Sequence, residues 1–467
     1  MLHSDKIQQM ILQYKKDMEM IDCLSDKAQS QYQIDQELYV KYEVKRGLRD
    51  LDGKGVHAGL TTISKINASR MENGKELRIP GELYYRGIPI EQLVDGFVRH
   101  DRFGFEEIVY LLIMGKLPTK EELNQFYDLL ANYRLLPNHF NSGVIMKMSS
   151  DNIMNTMAKC VLALHAYDPK PDDTSIPNVM RQCLQLVAQF SSLAVFGYQA
   201  SMYFRNDKSM FIQKPDPNLT IAENILYMIR PDGKYSRLEA KLLDLCLVLH
   251  AEHGGGNNST FTVHVVSSSG INTYATIAAA LGALKGPKHG GANIKVVQMF
   301  EDLKQHCPDW KDEEALRRYL TQVLRGEAFD HTGLIYGMGH AIYSISDSRA
   351  VILKSFVEQL SSEKGCHAEY ELYATVERLA GEIIAQNRKI YKGVCANVDF
   401  YSSFVYHMLG LPTELYTPIF AIARIAGWSA HRIEELINCK KIICPAYLSV
   451  AQDQEYVPME YRSVNSD

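Results

Sequence analysis

Four short segments set ionisable side chains beside glycines in a chain that is otherwise apolar and helix-forming. The first is His250-Ala-Glu-His-Gly-Gly-Gly-Asn-Asn-Ser259, at the end of a strongly apolar run. His250 and His253 share one helical face, and the glycines after them let a backbone or a ligand come close. Taken alone, the segment suits a metal pair awaiting a third ligand, an oxyanion loop, or histidines capping a helix before a glycine stop. The His-Glu-x-x-His order is absent, and no Gly-x-Ser-x-Gly elbow accompanies the loop, which weakens the metal and acyl-hydrolysis readings. The second segment, Lys285-Gly-Pro-Lys-His-Gly-Gly-Ala-Asn293, puts His289 on a rigid turn, where a neutral imidazole can be aimed at a ligand. A solvated surface histidine is the plain alternative.

The third segment is Tyr336-Gly-Met-Gly-His-Ala-Ile-Tyr-Ser-Ile-Ser-Asp-Ser-Arg-Ala350. Gly337, Met338 and Gly339 lack the third glycine of a dinucleotide fingerprint, but exposed amides and carbonyls beside His340 could cradle a flat heterocycle. Asp347 can cap the next helix, which puts Arg349 in its first turn, where a guanidinium and a helix N-terminus together suit a carboxylate. The alternative is a solvated helix-start charge. In the fourth segment, Ala396-Asn-Val-Asp-Phe-Tyr-Ser402, Asp399 lies between apolar neighbours. Desolvation there raises a carboxylate's pKa and makes it a better base, although a buried Asp bonded to backbone amides looks the same in sequence. Further on, Arg424 is the one charge in the run Pro418–Gly427, and a buried guanidinium needs an anion from the protein or from a ligand.

The elements that must carry these residues are mostly helices. Phe105–Met114 stops at Gly115, and Thr119-Lys-Glu-Glu122 reads as a capping box. Leu238–Leu249 and the Ala-rich Ile271–Leu284 are further helices, and Ile7, Met10, Ile11 and Tyr14 mark an amphipathic N-terminal helix that packs on the body of the protein or on a second subunit. Strand-like alternation is confined to Val56–Ser64 and Glu76–Tyr85. Charged helical stretches run from Glu301 to Arg325 and from Ser361 to Lys392, before the apolar pattern returns at Val398–Leu411. The fold is therefore all-α, with at most minor strands.

The chain has 467 residues, 46% hydrophobic and 22% charged, with Lys+Arg 50 against Asp+Glu 55. The net charge of −5 carries no basic excess for nucleic acid, so any bound anion is held by local Arg and His placement. Nine dispersed cysteines without a Cys-x-x-Cys pair fit a reduced, cytoplasmic chain. No apolar run is long enough for a membrane span, and the N-terminus, acidic and free of early Arg, lacks the features of a secretory or mitochondrial address.

In order and spacing, HAEHGGGNNST, GPKHGGAN, GMGHAIY with DSRA, NVDFYS and IARIAGW resemble the active-site blocks of the citrate synthase family, Si-type. Gly81–Leu93 and Phe105–Pro118 are similar to family segments as well, so the resemblance spans roughly residues 38–445. It implies a helical homodimer in which residues 38–300 and 408–467 form a large domain around a small inserted domain, 301–407, with residues 1–37 as an extension. It implies condensation of acetyl-CoA, a co-substrate, with oxaloacetate, then thioester hydrolysis to citrate and CoA, without metal or redox cofactor. In that scheme Asp399 is the base for the acetyl methyl group, His289 holds the enol oxygen and His340 polarises the ketone. His253, Arg349 and Arg424 grip oxaloacetate, and Gly337, Met338 and Gly339 lie against CoA. The family usually carries an Arg-Pro pair near its C-terminus, reaching into the partner's site; Cys444-Pro445 stands there instead. Two alternatives remain: a 2-methylcitrate synthase using propionyl-CoA, and an impaired, ligand-sensing member.

Overall fold

The computed structural model describes residues 2–50, 54–387 and 393–462, and the chain divides into two compact units, Met1–Leu60 and Thr61–Asp467. The first unit is carried by one long helix, Leu2–Gln31, followed by a short helix, Gln36–Lys41, whose N-cap Asp35 accepts from the Glu37 amide, and by a 3-10 turn, Arg46–Leu48.

The second unit opens on a β-hairpin. Strand β1 (Ser64–Glu72) pairs antiparallel with β2 (Lys75–Tyr85), whose end pairs with the two-residue β3 (Ile88–Pro89). The sequence reading set the first strand too early: Ser64 begins it rather than ends it. Asn73-Gly74, both with positive φ, form the two-residue turn that fixes Glu72 opposite Lys75, so β1 must occupy the residues just before it.

Among the described residues everything else with regular structure in the second unit is helical, and the all-α expectation holds apart from this small sheet. Phe105–Met114 ends on Gly115 at φ 83°, and Thr119 and Glu122 form the expected capping box for Lys120–Tyr133. Thr220 and Ser236 cap Ile221–Ile229 and Arg237–His250 in the same way. The charged stretch from Glu301 is two helices, Ala292–His306 and Glu313–Arg325, because Pro308 interrupts it and Asp312 caps the restart. The second charged block is likewise broken: Ser348–Glu363 stops before Gly365 (φ 68°) and His367–Asn387 follows, while the block's expected end at Lys392 lies outside the described residues.

The core is built on two long helices far apart in sequence. Ile176–Arg205 is buried through most of its length and packs against Tyr416–Asn438, whose Trp428, Arg424 and Arg432 are completely enclosed. Arg432 secures its surroundings by donating to Thr273, Ser267, Thr276 and the Ile271 carbonyl. Gly427 lets this helix lie directly on the end of Arg237–His250. A Cβ there would come within 2.2 Å of Glu252 Oε2 and 2.6 Å of the Ala251 oxygen, and the Gly427 amide donates to that oxygen. Through this contact the fold holds the His250–His253 segment against Arg424. Among the described residues no helix is long and apolar enough to cross a membrane, and all nine cysteines are free thiols.

Candidate active site

Arg424 is wholly buried; its Nε donates to the His250 carbonyl at 2.7 Å, and its guanidinium lies 4.7 Å from the Phe420 ring centroid. Nη1 has no hydrogen-bond partner, and burial pulls the group down to about 10, still charged at neutral pH. Arg349 is placed differently. Asp347 caps the Ser348–Glu363 helix by accepting from the Arg349 amide, and its two oxygens also take a fork from the guanidinium, Nε at 3.0 Å and Nη2 at 2.7 Å. Burial opposes the charge on Arg349, but Asp347 outweighs it and holds the pKa above the usual value. Arg349 therefore has a resident counter-ion that the sequence reading had assigned only to capping.

His253 is buried, with its ring edge-on to His340 at 5.1 Å between centroids and Nε2 3.3 Å from the Tyr343 hydroxyl. Burial first, then the charges of Arg349, His340, Arg424 and His289, push it well below the ordinary histidine value, so it is neutral. His340 stacks on Tyr343 at 4.7 Å, and its Nδ1 accepts from the amides of Ile342 and Tyr343. A nitrogen that accepts carries no proton, so the neutral ring bears its hydrogen on Nε2 and can donate there.

Gly337 and Gly339 do not offer the open backbone expected for a heterocycle. Gly339 N–H donates to the Cys395 carbonyl and Asn397 N–H to the Gly337 carbonyl, while the Asn397 side-chain amide donates to the Gly339 carbonyl. Met338 forms a bridge with Ala396, its side chain half-buried. These groups are spent on pairing, because the strip must hold the His340 loop to the start of Val398–Met408, the helix that carries Asp399. Gly337, at φ 80°, lies so close that a Cβ would sit 2.8 Å from the Phe400 ring.

Asp399 is the second residue of that helix, and its amide donates to the capping Asn397. Burial raises its carboxyl to about 6 against the opposing pull of Arg349, an Asn293 hydrogen bond (3.5 Å) and Arg424. His289 moves the other way: burial and then the Arg424 charge push it down to about 4, leaving a neutral ring. Its Nε2 is 3.1 Å from Ser259 Oγ, an oxygen that also receives the Trp428 indole N–H and lies 3.0 Å from Asn257 Oδ1. When the serine hydroxyl turns to His289, the ring proton sits on Nδ1 and is available to a ligand; when it turns to Asn257, the proton sits on Nε2.

The structure thus groups all six expected side chains. His253, His340 and Tyr343 touch, and the charge of Arg424 bears on His253, His289 and Asp399. Ser259, Asn293, Tyr343 and Asp347 complete the group. They lie inside the segments singled out in sequence, but an uncharged side chain gives no signal by type alone, and Asp347 already had a complete explanation as a cap. His250 contributes no metal ligand: its ring stacks on Phe420 at 4.2 Å, and among the described residues no three His, Cys, Asp or Glu side chains are grouped for a cation.

A carboxylate poised to take a proton, neutral imidazoles poised to donate, and an unsatisfied buried guanidinium define an acid–base site for enolising and joining carboxylate-bearing substrates. Residues 48–446 match the family model described as citrate synthase, C-terminal domain. A citrate synthase of Synechocystis sp. is 34% identical and covers 88% of this chain and 93% of its own. The crystal structure of citrate synthase from Pyrobaculum aerophilum superposes with TM-score 0.70 at 28% identity, over 88% of this chain and 95% of that one. The Thermoplasma acidophilum citrate synthase, in ternary complex with carboxymethyl coenzyme A and oxaloacetate, does so with TM-score 0.72 at 26% identity, over 90% and 100%. The chain belongs to the citrate synthase family, and hence to the acyltransferases.

Proposed function

We propose that this chain condenses acetyl-CoA with oxaloacetate to citrate, and that its residues divide the work as follows. Arg424, through its unpartnered Nη1, Arg349 and His253 hold the oxaloacetate carboxylates, and His340 donates Nε2–H to the ketone oxygen. Asp399 takes a proton from the acetyl methyl group while His289, with Ser259 turned toward it, donates to the thioester oxygen as it becomes an enol. The new nucleophilic carbon attacks the ketone, the alkoxide takes the His340 proton, and water then cleaves the thioester to citrate and free CoA. The opposite tuning of Asp399 and His289 beside one shared guanidinium carries this reading.

The 301–407 segment acts as a lobe that closes over the first substrate and excludes water, so that acetyl-CoA is not hydrolysed early. Gly337–Gly339 sets the shape of the CoA wall rather than its hydrogen bonds. The enzyme is a cytoplasmic homodimer working without metal or redox cofactor. Cys444 is exposed, follows Lys440 and Lys441 by three or four residues, and supplies no guanidinium to a partner's site. Cys444→Arg should tighten apparent oxaloacetate affinity by about tenfold or more, the scale of a charged hydrogen bond; unchanged affinity in steady-state titration refutes the missing clamp.

The deciding experiment is thiol release from acetyl-CoA with and without oxaloacetate, run beside propionyl-CoA. Oxaloacetate-dependent release, faster with acetyl-CoA, is expected. Faster turnover of propionyl-CoA would make the product 2-methylcitrate, and no turnover of either thioester by folded protein would leave an impaired, ligand-sensing member.

A further inference from the structure

We propose that the Leu2–Gln31 helix pairs antiparallel with the same helix of a second copy of the chain, an inference independent of the catalytic reading. Ile7, Ile11, Tyr14, Met18 and Ile21 recur at alternating spacings of four and three residues, the repeat that keeps one seam facing a partner helix. The seam is unfilled: Ile7, Ile11, Tyr14 and Ile21 each leave half or more of their surface open, and Met10 and Leu24 beside them are open as well.

The charges select both partner and direction. In the antiparallel register centred between Tyr14 and Met18, Ile11 packs on the partner's Ile21 and Tyr14 on the partner's Met18. Met10 then flanks the partner's Leu24, and Lys15 faces the partner's Asp22, each contact occurring twice by symmetry. The cost is Asp17 meeting its own copy at the centre, where Gln13 already donates to it. A parallel pair instead sets Asp17 against the partner's Asp22 twice and leaves Met10 and Leu24 against polar side chains. Neighbouring antiparallel registers put Lys15 on Lys15 or Asp22 on Asp22. A lipid surface suits the helix poorly: Lys6, Lys15, Lys16 and Lys27 are balanced by Asp17, Glu19, Asp22 and Asp26 rather than gathered as a basic face.

The test uses the full chain with the exposed Cys23, Cys439 and Cys444 changed to serine. Under mild oxidation, Ile11→Cys combined with Ile21→Cys should give a covalent dimer on a non-reducing gel, whereas neither substitution alone should. Ten residues apart on one helix, the two new thiols cannot reach each other within a chain. Adding Lys15→Asp should lower the cross-linking yield by about threefold, the scale of two exposed ion pairs, and adding Asp22→Lys to that variant should restore it. Cross-linking by either single variant, which signals parallel pairing, would overturn the proposal, as would none from the double variant. So would co-sedimentation of the unmodified protein with vesicles of mixed phosphatidylcholine and phosphatidylglycerol.

Discussion

Asp399 and His289 show how one environment sets an acid and a base apart. Burial disfavours the charged form of either group, so the carboxyl rises to about 6 and the imidazole falls to about 4. The base is ionised only above about pH 6, so kcat/KM should fall as pH drops through that value, with no further limb from His289 above about pH 4. Asp399→Asn should remove the limb with about 10³-fold of the rate while leaving oxaloacetate binding nearly intact, as a pH–rate series and a binding titration would establish. Stability cannot report this ionisation. Between about pH 4 and 6 folded Asp399 holds more protons than the unfolded chain, which lowers stability as pH rises, while folded His289 holds fewer and raises it. The two arginines separate by the same reasoning. Arg349→Leu strands a buried Asp347 and should cost about 3–5 kcal/mol in urea unfolding as well as substrate binding. Arg424→Leu removes a charge that no carboxylate forks, and Glu252, the anion bearing on it, keeps its bonds to His431 and Ser64, so oxaloacetate KM should rise by about 10–100-fold with a smaller loss of unfolding stability than in Arg349→Leu. If both variants lost the same stability, the distinction drawn between the two guanidinium groups would be wrong.

At the scale of elements, the site is a set of junctions. Gly337 has the left-handed backbone its turn requires and no space for a side chain, so Gly337→Ala should cost about 2 kcal/mol in urea unfolding and loosen the spacing between His340 and Asp399. A kcat loss that exceeds the change in oxaloacetate KM would mark a positional fault rather than a binding one. Junctions of this kind were only half legible in sequence. The helices with strong local signals were readable: Gly115 as a stop, Thr119 with Glu122 as a box, Asp347 as a cap. The strand boundary was missed because the turn residues Asn73-Gly74, rather than the apolar alternation, fix the hairpin register. The six reactive side chains were legible because charge inside apolar sequence is conspicuous. Ser259 and Asn293, which orient His289 and Asp399, were not, because their importance exists only once residues far apart in the chain are brought together.

For the molecule as a whole, the free site is electrostatically unfinished. Arg349 and Arg424 bear on one another, each lowering the tendency of His253 to charge; Arg349 is forked by Asp347, whereas Glu252, the anion that bears most on Arg424, is hydrogen-bonded to His431 rather than to the guanidinium. A dicarboxylate fills that place and adds a shared anion to three elements: the Tyr416–Asn438 helix through Arg424, the loop after Arg237–His250 through His253, and the start of Ser348–Glu363 through Arg349. Binding energy made in this way is folding energy, amounting to about 2.7 kcal/mol at a hundredfold excess over Kd. Thermal unfolding should therefore shift upward with oxaloacetate and saturate, shift much less with acetyl-CoA alone, and lose the oxaloacetate shift in Arg424→Leu. Because the charges are buried, moderate salt should leave the shift largely in place, unlike an effect of exposed pairs. An equal shift from acetyl-CoA alone, or an undiminished one in Arg424→Leu, would show that the guanidinium is not where the first substrate binds.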